Sequence, residues 1–75
     1  MHLRDIEAWV QFVNALDHCT GNVILNSKYG DTYNLKSKLS QLLALNVLMD
    51  ESENGLELIC SNREDDEFLR TYLAA

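Results

Sequence analysis

The apolar residues of this chain recur at two different spacings, and the order in which these spacings follow one another limits the folds it can adopt. Three segments repeat apolar residues every three or four positions, which is typical of an amphipathic helix, and three shorter segments read as strands. The order is helix, strand, strand, helix, strand, helix. It predicts an α+β domain in which three helices cover one face of a small antiparallel sheet, each through its apolar stripe.

Each predicted helix is preceded by a polar residue that can cap its first turn. The first helix covers residues 5–16 and is capped by Asp5, the second follows Ser37, and the third follows Asn62. Gly21 ends the first helix and is expected to take the left-handed conformation there. The stripes expected to be buried are, in chain order, Ile6, Trp9, Val10, Val13 and Leu16; Leu39, Leu42 and Leu43; and Phe68, Leu69, Tyr72 and Leu73.

The strand signals are short and lie between turn residues. Residues 22–27 and 32–35 predict a β-hairpin around the glycine-containing turn 28–31, and residues 56–61 predict a half-buried strand. A strand stub at residues 1–3 would make a fourth strand. Residues 47–49 are predicted to form a loop packed under the core, and residues 50–55 a solvated acidic turn.

Size and charge exclude several classes of protein. A chain of 75 residues, 47% of them apolar, predicts one globular domain over residues 1–75 with a small core. The formal net charge of −6 argues against a nucleic-acid binder, which normally presents a basic face to phosphate. No apolar run approaches the roughly 20 residues that cross a bilayer, and no secretory signal begins the chain, so a cytoplasmic protein that does not enter membranes is expected.

Cysteine and histidine are too few and too scattered to predict a metal site. Cys19 and Cys60 lie in apolar settings and are predicted to be core thiols, with a disulfide and a reactive thiol as the alternatives. Two cysteines and two histidines show no paired spacing for zinc, and the acidic runs lack the alternating frame of a calcium loop. No metal and no cofactor is therefore predicted.

One basic segment interrupts this acidic chain. Lys36-Ser37-Lys38 places a serine hydroxyl between two lysines at a predicted helix start, where the backbone amides and the helix dipole favour an anion. Residues 50–75, by contrast, contain eight acidic and two basic side chains. Ser37 is interpreted either as an N-cap between two solvated lysines or as a phosphorylation site, where a phosphate would add roughly 1.5 to 2 negative charges.

Asn34-Leu35-Lys36-Ser37 resembles the start of the second helix in HPr, the histidine-containing phosphocarrier of the bacterial sugar phosphotransferase system. Residues 11–13 are similar to part of the first helix of HPr, residues 22–35 to its central hairpin, and residues 65–67 to the acidic start of its last helix. The resemblance implies an open-faced sandwich, with three helices on one face of a four-stranded antiparallel sheet.

The phosphocarrier motif of that family is missing. HPr carries phosphate on a histidine followed by any residue, then arginine and proline, whereas this chain has no proline. Aligned on residues 11–13, Asp5 takes the place of that histidine, and a carboxylate does not replace an imidazole in phosphoryl exchange. In a second register, His2-Leu3-Arg4 keeps the spacing. The resemblance thus implies a non-catalytic protein, with a phosphocarrier at His2 as the alternative, while His18 is expected to be a cation at the end of a helix.

Ser37 matches the regulatory site that a dedicated serine kinase phosphorylates in HPr of low-GC Gram-positive bacteria. The family docks its partners on a neighbouring apolar surface, to which Leu39 and Leu42 correspond, although Lys38 replaces an apolar residue. The resemblance implies a regulatory, partner-binding module whose partners are phosphotransferase-system components or a serine kinase, with Lys36, Lys38, Leu39 and Leu42 as contact residues. A simple interaction or assembly module, in which Ser37 is only a cap, is the remaining alternative.

The last strand raises a separate expectation. In the HPr sheet the first strand covers the edge of the last one, and here only residues 1–3 are left to do so. An uncovered apolar edge is a template for pairing with another chain. The resemblance therefore implies a homodimer, or a strand-donating partner, through the edge strand Leu56 to Ser61.

Overall fold

Helices and strands alternate along the chain in the predicted order. The computed structural model describes residues 2–50 and 55–73. The elements are α1 (Ile6–His18), β1 (Val23–Asn26), β2 (Thr32–Asn34), α2 (Lys38–Leu48), β3 (Glu57–Cys60) and α3 (Arg63–Arg70). Three helices with a three-stranded antiparallel sheet confirm the α+β class. No described helix is both long enough and apolar enough to cross a membrane.

The sheet has the strand order β2-β1-β3, so the middle strand is the first in sequence. Leu25 lies opposite Tyr33 of β2 and opposite Leu58 of β3. The predicted hairpin turn is present, and Gly30 adopts the positive φ of 91° that glycine tolerates best. Among residues 2–50 and 55–73 no fourth strand joins the sheet, and His2 forms only an isolated bridge.

The core lies between one face of the sheet and the helices. Val23, Leu25 and Leu58 point toward the helices, whereas Ile59 on the opposite face is exposed. This alternation is the predicted half-buried pattern of β3. The largest fully buried side chains are Phe12, Leu3, Leu16, Leu25, Leu35, Leu48, Leu69 and Val23.

The predicted buried stripe of the first helix is wrong in part. Ile6 is 61% exposed and Val10 is 51% exposed, while the buried side of α1 is formed by Ala8, Phe12, Ala15 and Leu16. The helix has apolar residues on two sides, and only one can face the sheet. The side with two alanines around Phe12 packs inward, because small side chains allow close approach of the helix to the sheet.

The predictions for the second helix need two corrections. The sequence predicts Leu39, Leu42 and Leu43 to be buried, but they are exposed. The inward side of α2 consists of Gln41, Ala44 and Leu48. Residues 47–49 do not form a loop, since α2 continues to Leu48. The helix extends this far because Gln41, Ala44 and Leu48 keep a helical spacing toward the core. The amide of Gln41 donates to the Leu35 carbonyl at 2.8 Å, which satisfies this buried polar group.

The third helix ends earlier than its apolar stripe. Leu69 is fully buried, but Tyr72 and Leu73 lie beyond Arg70 in a turn and are half-buried, and Phe68 is 43% exposed. The predicted acidic turn falls largely outside the described residues, because residues 51–54 belong to it. Only Asp50 and Gly55 at its ends are described, and both are exposed.

The predicted caps are confirmed, and the role of Gly21 is corrected. Asp5 accepts the Ala8 amide at 2.8 Å, and Asn62 accepts amides from the first turn of α3. Gly21 does not have positive φ. Its amide and that of Thr20 donate to the buried carboxylate of Asp65, both at 3.1 Å, and a Cβ at this position would collide with Ser61. Gly21 is small so that the loop after α1 can approach α3.

Candidate docking surface beside Ser37

The segment that enters α2 is fixed by a turn centred on Asn34. The Asn34 side chain accepts the Lys36 amide at 3.1 Å, and its carbonyl accepts the Ser37 amide at 3.0 Å. Leu35 between them is fully buried and anchors the turn in the core. Ser37 then caps α2, with its hydroxyl accepting the Ser40 amide at a long 3.5 Å. The turn thus holds Ser37 at the helix start with its side chain half-buried.

The N-cap interpretation expects Lys36 to be solvated, but although the residue is exposed, its ammonium is hydrogen-bonded within the chain. Its ammonium donates to the carbonyls of Leu16 and Cys19, each at 2.8 Å, at the C-terminal end of α1. Those carbonyls lie at the negative end of the α1 dipole, and the Leu16 carbonyl also accepts the Cys19 amide at 3.2 Å. Lys36 therefore connects the end of α1 to the start of α2. Its predicted role in partner binding stays a prediction, and its ammonium is already engaged within the chain.

Lys38 also reaches α1, but across a solvent-exposed gap. Its ammonium lies 3.1 Å from a carboxylate oxygen of Asp17, and the two side chains are 71% and 55% exposed. An exposed ion pair of this kind is worth only about 0–1 kcal/mol. Lys38 can therefore exchange Asp17 for another anion at little cost.

Exposed apolar side chains lie on α1 and on α2, the helix that Ser37 caps. The five side chains are each more than half exposed, and we call them the α1–α2 surface: Ile6, Val10, Leu39, Leu42 and Leu43. Between the helices lies a groove of about 340 Å³, lined by Trp9, Val10, Val13, Asn14, Lys38, Gln41 and Leu42. Single exposed apolar residues are ordinary, but a group of them beside a groove is typical of a binding site.

The structure brings together most of the residues that the sequence proposes for partner binding. Lys38 and Leu42 line the groove, and Leu39 is exposed on α2. The contributions of Trp9, Val10, Val13 and Asn14 of α1 were missed. The sequence does contain a sign of these residues, because α1 has apolar residues on two sides. A single sequence does not tell which of the two sides faces the sheet, so the side that lines the groove is predicted to belong to the core.

The two histidines lie at opposite ends of α1. His2 is half-buried and precedes the helix. His18 is exposed in the last turn, with Nδ1 2.8 Å from the Asn14 carbonyl oxygen, in the position expected for a group at the negative end of the dipole. Within residues 2–50 and 55–73, no group of three or more histidine, cysteine or acidic side chains is arranged to hold a metal ion.

The two cysteines are unpaired with each other and lie against the core. Cys19 is buried and Cys60 half-buried, and they form no disulfide. Burial raises the pKa of Cys19, and the nearby Asp65 carboxylate adds to this effect. Burial followed by the charge of Asp66 raises the pKa of Cys60 to about 11. The arrangement fits core thiols and does not favour a reactive one.

The comparisons with known proteins give no relative on which to build. No family model matches the chain, and no curated protein or solved structure shows a significant match. The α+β fold and the α1–α2 surface are thus the basis for assigning a function.

Proposed function

We propose that this chain is a non-catalytic, HPr-like regulatory module of the cytoplasm that binds a phosphotransferase-system protein through its α1–α2 surface and is controlled by phosphorylation of Ser37. The observation that carries the proposal is the set of exposed apolar side chains on α1 and on α2, the helix that the half-buried Ser37 caps. The proposal adds to this the resemblance of Asn34-Leu35-Lys36-Ser37 to the regulatory segment of HPr.

The α1–α2 surface has the chemistry of a protein-docking site. Leu39 and Leu42 are 68% and 63% exposed, so a partner can remove most of their area from water. Full burial of one such side chain stabilises a complex by about 1.5–3 kcal/mol. Lys38 is the only charged residue of α2, so partners with an acidic group beside an apolar contact are favoured over basic ones.

Phosphate on Ser37 would change this surface without disturbing the core. The hydroxyl lies at the positive end of the α2 dipole, where a phosphate is electrostatically favoured. Lys38 is exposed and only weakly held by Asp17, so it is able to neutralise part of the new charge. The result would be a dianion beside Leu39 and Leu42, which disfavours acidic partners and favours basic ones.

Two other interpretations remain as outcomes of the tests. One is a working phosphocarrier that uses His2, and the other is an interaction or assembly module without control at Ser37. A second copy of the chain is a further partner in the proposal, paired along the edge formed by residues 56–61.

Docking is tested by titrating the ¹⁵N-labelled protein with the first enzyme of the phosphotransferase system and following amide chemical shifts. We expect the shifts to concentrate on α1 and α2, and Leu42→Glu to weaken binding at least about tenfold. Tyr29→Glu is the matched control, because Tyr29 is 76% exposed on the hairpin turn and lies outside the surface. Equal affinity of both variants, or no shift changes at all, contradicts the docking proposal.

Control at Ser37 is tested with the serine kinase that acts on HPr. We expect one phosphate on the wild type, none on Ser37→Ala, and normal labelling of Ser40→Ala, whose serine lies one turn along the same helix. Labelling of Ser37→Ala would show that another residue is modified. Incubation with the first enzyme and phosphoenolpyruvate should leave the protein unlabelled, and phosphate on His2 would establish the phosphocarrier instead.

A further inference from the structure

The outer edge of β3 has backbone groups directed away from the sheet. Only β1 pairs with β3 among the described strands, and the Ser61 amide donates to the Asn22 carbonyl at 3.1 Å. The backbone N–H and C=O groups of successive residues in a strand point alternately to its two sides. Those of Glu57 and Ile59 therefore point toward β1, whereas those of Leu58 and Cys60 point away from the sheet. An edge of this kind is a template for another strand.

One of these outward groups is occupied by a side chain from α3. Arg70 donates through Nη2 to the Leu58 carbonyl at 3.1 Å. Its Nε lies 3.1 and 3.0 Å from the two carboxylate oxygens of Asp66, which hold the guanidinium in place. A charged side chain across a strand edge is a common way in which proteins limit pairing there. Arg70 thus blocks one of the few acceptors that β3 offers.

We propose that a second copy of this chain pairs antiparallel along β3, and that Arg70 gates this pairing by competing for the Leu58 carbonyl. The inference rests on the self-association included in the proposed function and adds its geometry and control. In the arrangement centred on Ile59, Leu58 lies opposite Cys60 of the second copy and exchanges main-chain hydrogen bonds with it. The two Ile59 side chains then face each other at the centre of a six-stranded sheet.

The sequence of β3 is complementary to itself in this register. Ile59 is 43% exposed on the open face of the sheet, beside Ile24 of β1, so the pairing removes apolar area from water. Glu57 falls opposite Ser61 of the second copy, and no like charges meet within the strand. In the alternative register, in which the two Leu58 residues lie opposite each other, Glu57 of one copy would lie opposite Ile59 of the other. A charged side chain next to an apolar one is a poor cross-strand pair.

The proposed dimer leaves the α1–α2 surface accessible. α2 packs against β2, which is at the other end of the sheet from β3. A dimer through β3 would therefore present two docking surfaces at once. The net charge of −6 on each copy opposes association, so we expect pairing to strengthen as salt is added.

The test is analytical ultracentrifugation of the wild type and matched variants up to about 1 mM protein. We expect the mass of the wild type to rise with protein concentration. Arg70→Ala should dimerise at least about tenfold more tightly, because the Leu58 carbonyl no longer accepts a hydrogen bond from the guanidinium. Arg63→Ala is the control, because it removes the same charge from the same helix at a side chain that is 92% exposed. Ile59→Lys should remain monomeric.

Each other result overturns a stated part of the inference. Monomers of both wild type and Arg70→Ala at the highest concentration rule out self-pairing at β3, whereas equal dimerisation of Arg70→Ala and Arg63→Ala rules out the gate. A dimer that persists in Ile59→Lys places the interface elsewhere. If Arg70→Ala does not fold, Arg70→Lys replaces it, because a single ammonium cannot hold Asp66 and Leu58 as the guanidinium does. Docking is measured separately with Leu42→Glu, so failure of one proposal leaves the other intact.

Discussion

Cys60 lies where the sheet meets α3, and its ionisation is opposed by its surroundings. Burial of the thiol and the carboxylate of Asp66 raise its pKa to about 11 from the usual 9.0. The folded protein therefore holds the thiol proton more tightly than the unfolded chain does. A pKa raised on folding stabilises the folded state fully below pH 9.0, and this contribution is lost as pH rises through about 11.

The free energy of unfolding should consequently fall between pH 9.0 and about 11, and fall less in Cys60→Ala than in the wild type. Urea unfolding followed by circular dichroism across this range measures both curves. Every other titratable group is present in both proteins, so the difference between the curves isolates Cys60. Parallel curves would show that the thiol titrates equally in the folded and unfolded chains.

Single residues were predictable where their roles are local. Asp5 and Asn62 are caps because each needs only a polar side chain within three residues of the amides that it accepts. The sequence predicts Gly21 at the right helix boundary, but the conformational reason it suggests is wrong. Its small size matters because of Ser61 and Asp65, which are distant in sequence, and no local pattern contains that information.

Among the elements, α1 and α2 are joined by two lysines with different environments. Lys36 donates two 2.8 Å hydrogen bonds to carbonyls at the end of α1, in a partly buried position, whereas Lys38 meets Asp17 in solvent. Hydrogen bonds to charged groups contribute about 1.5–3 kcal/mol, and exposed ion pairs about 0–1 kcal/mol. Of the two lysines, Lys36 therefore contributes more to holding the helices together.

We predict that Lys36→Met lowers the free energy of unfolding by about 1.5–3 kcal/mol, while Lys38→Met lowers it by less than about 1 kcal/mol. The two variants make the same substitution two residues apart, so each controls for the other. Chemical denaturation at low and high salt measures the effect, and only the Lys38 contribution should vanish at high salt. Equal losses would mean that Lys36 does not bridge the helices.

The order of elements was predictable from the sequence, but the orientation of the helices was not. Both α1 and α2 have apolar residues on two sides, and the side with the larger aliphatic residues was expected to be buried. The fold instead buries Ala8 with Phe12 on α1, and Ala44 with Leu48 on α2. Because the sequence predicts Val10 to be part of the core, it does not predict that α1 lines the docking groove.

At the scale of the whole molecule, the core is small enough for one residue to decide whether the chain folds. A domain below about 70–80 residues draws only about 3–5 kcal/mol from a single core. Phe12 is fully buried between the sheet and the helices, and it is the largest of the fully buried side chains. Ile6, on the same helix, is 61% exposed and contributes to the docking surface instead.

Phe12→Ala should therefore leave the chain largely unfolded at 25 °C, because such a substitution costs about 3–5 kcal/mol, which is the whole contribution of the core. Ile6→Ala should change the free energy of unfolding by only about 0.5 kcal/mol, as is usual for exposed positions. Circular dichroism with thermal and urea unfolding distinguishes the two. If Ile6→Ala proved as damaging as Phe12→Ala, the side of α1 that lines the groove would be part of the core, and the α1–α2 surface would not be available to a partner.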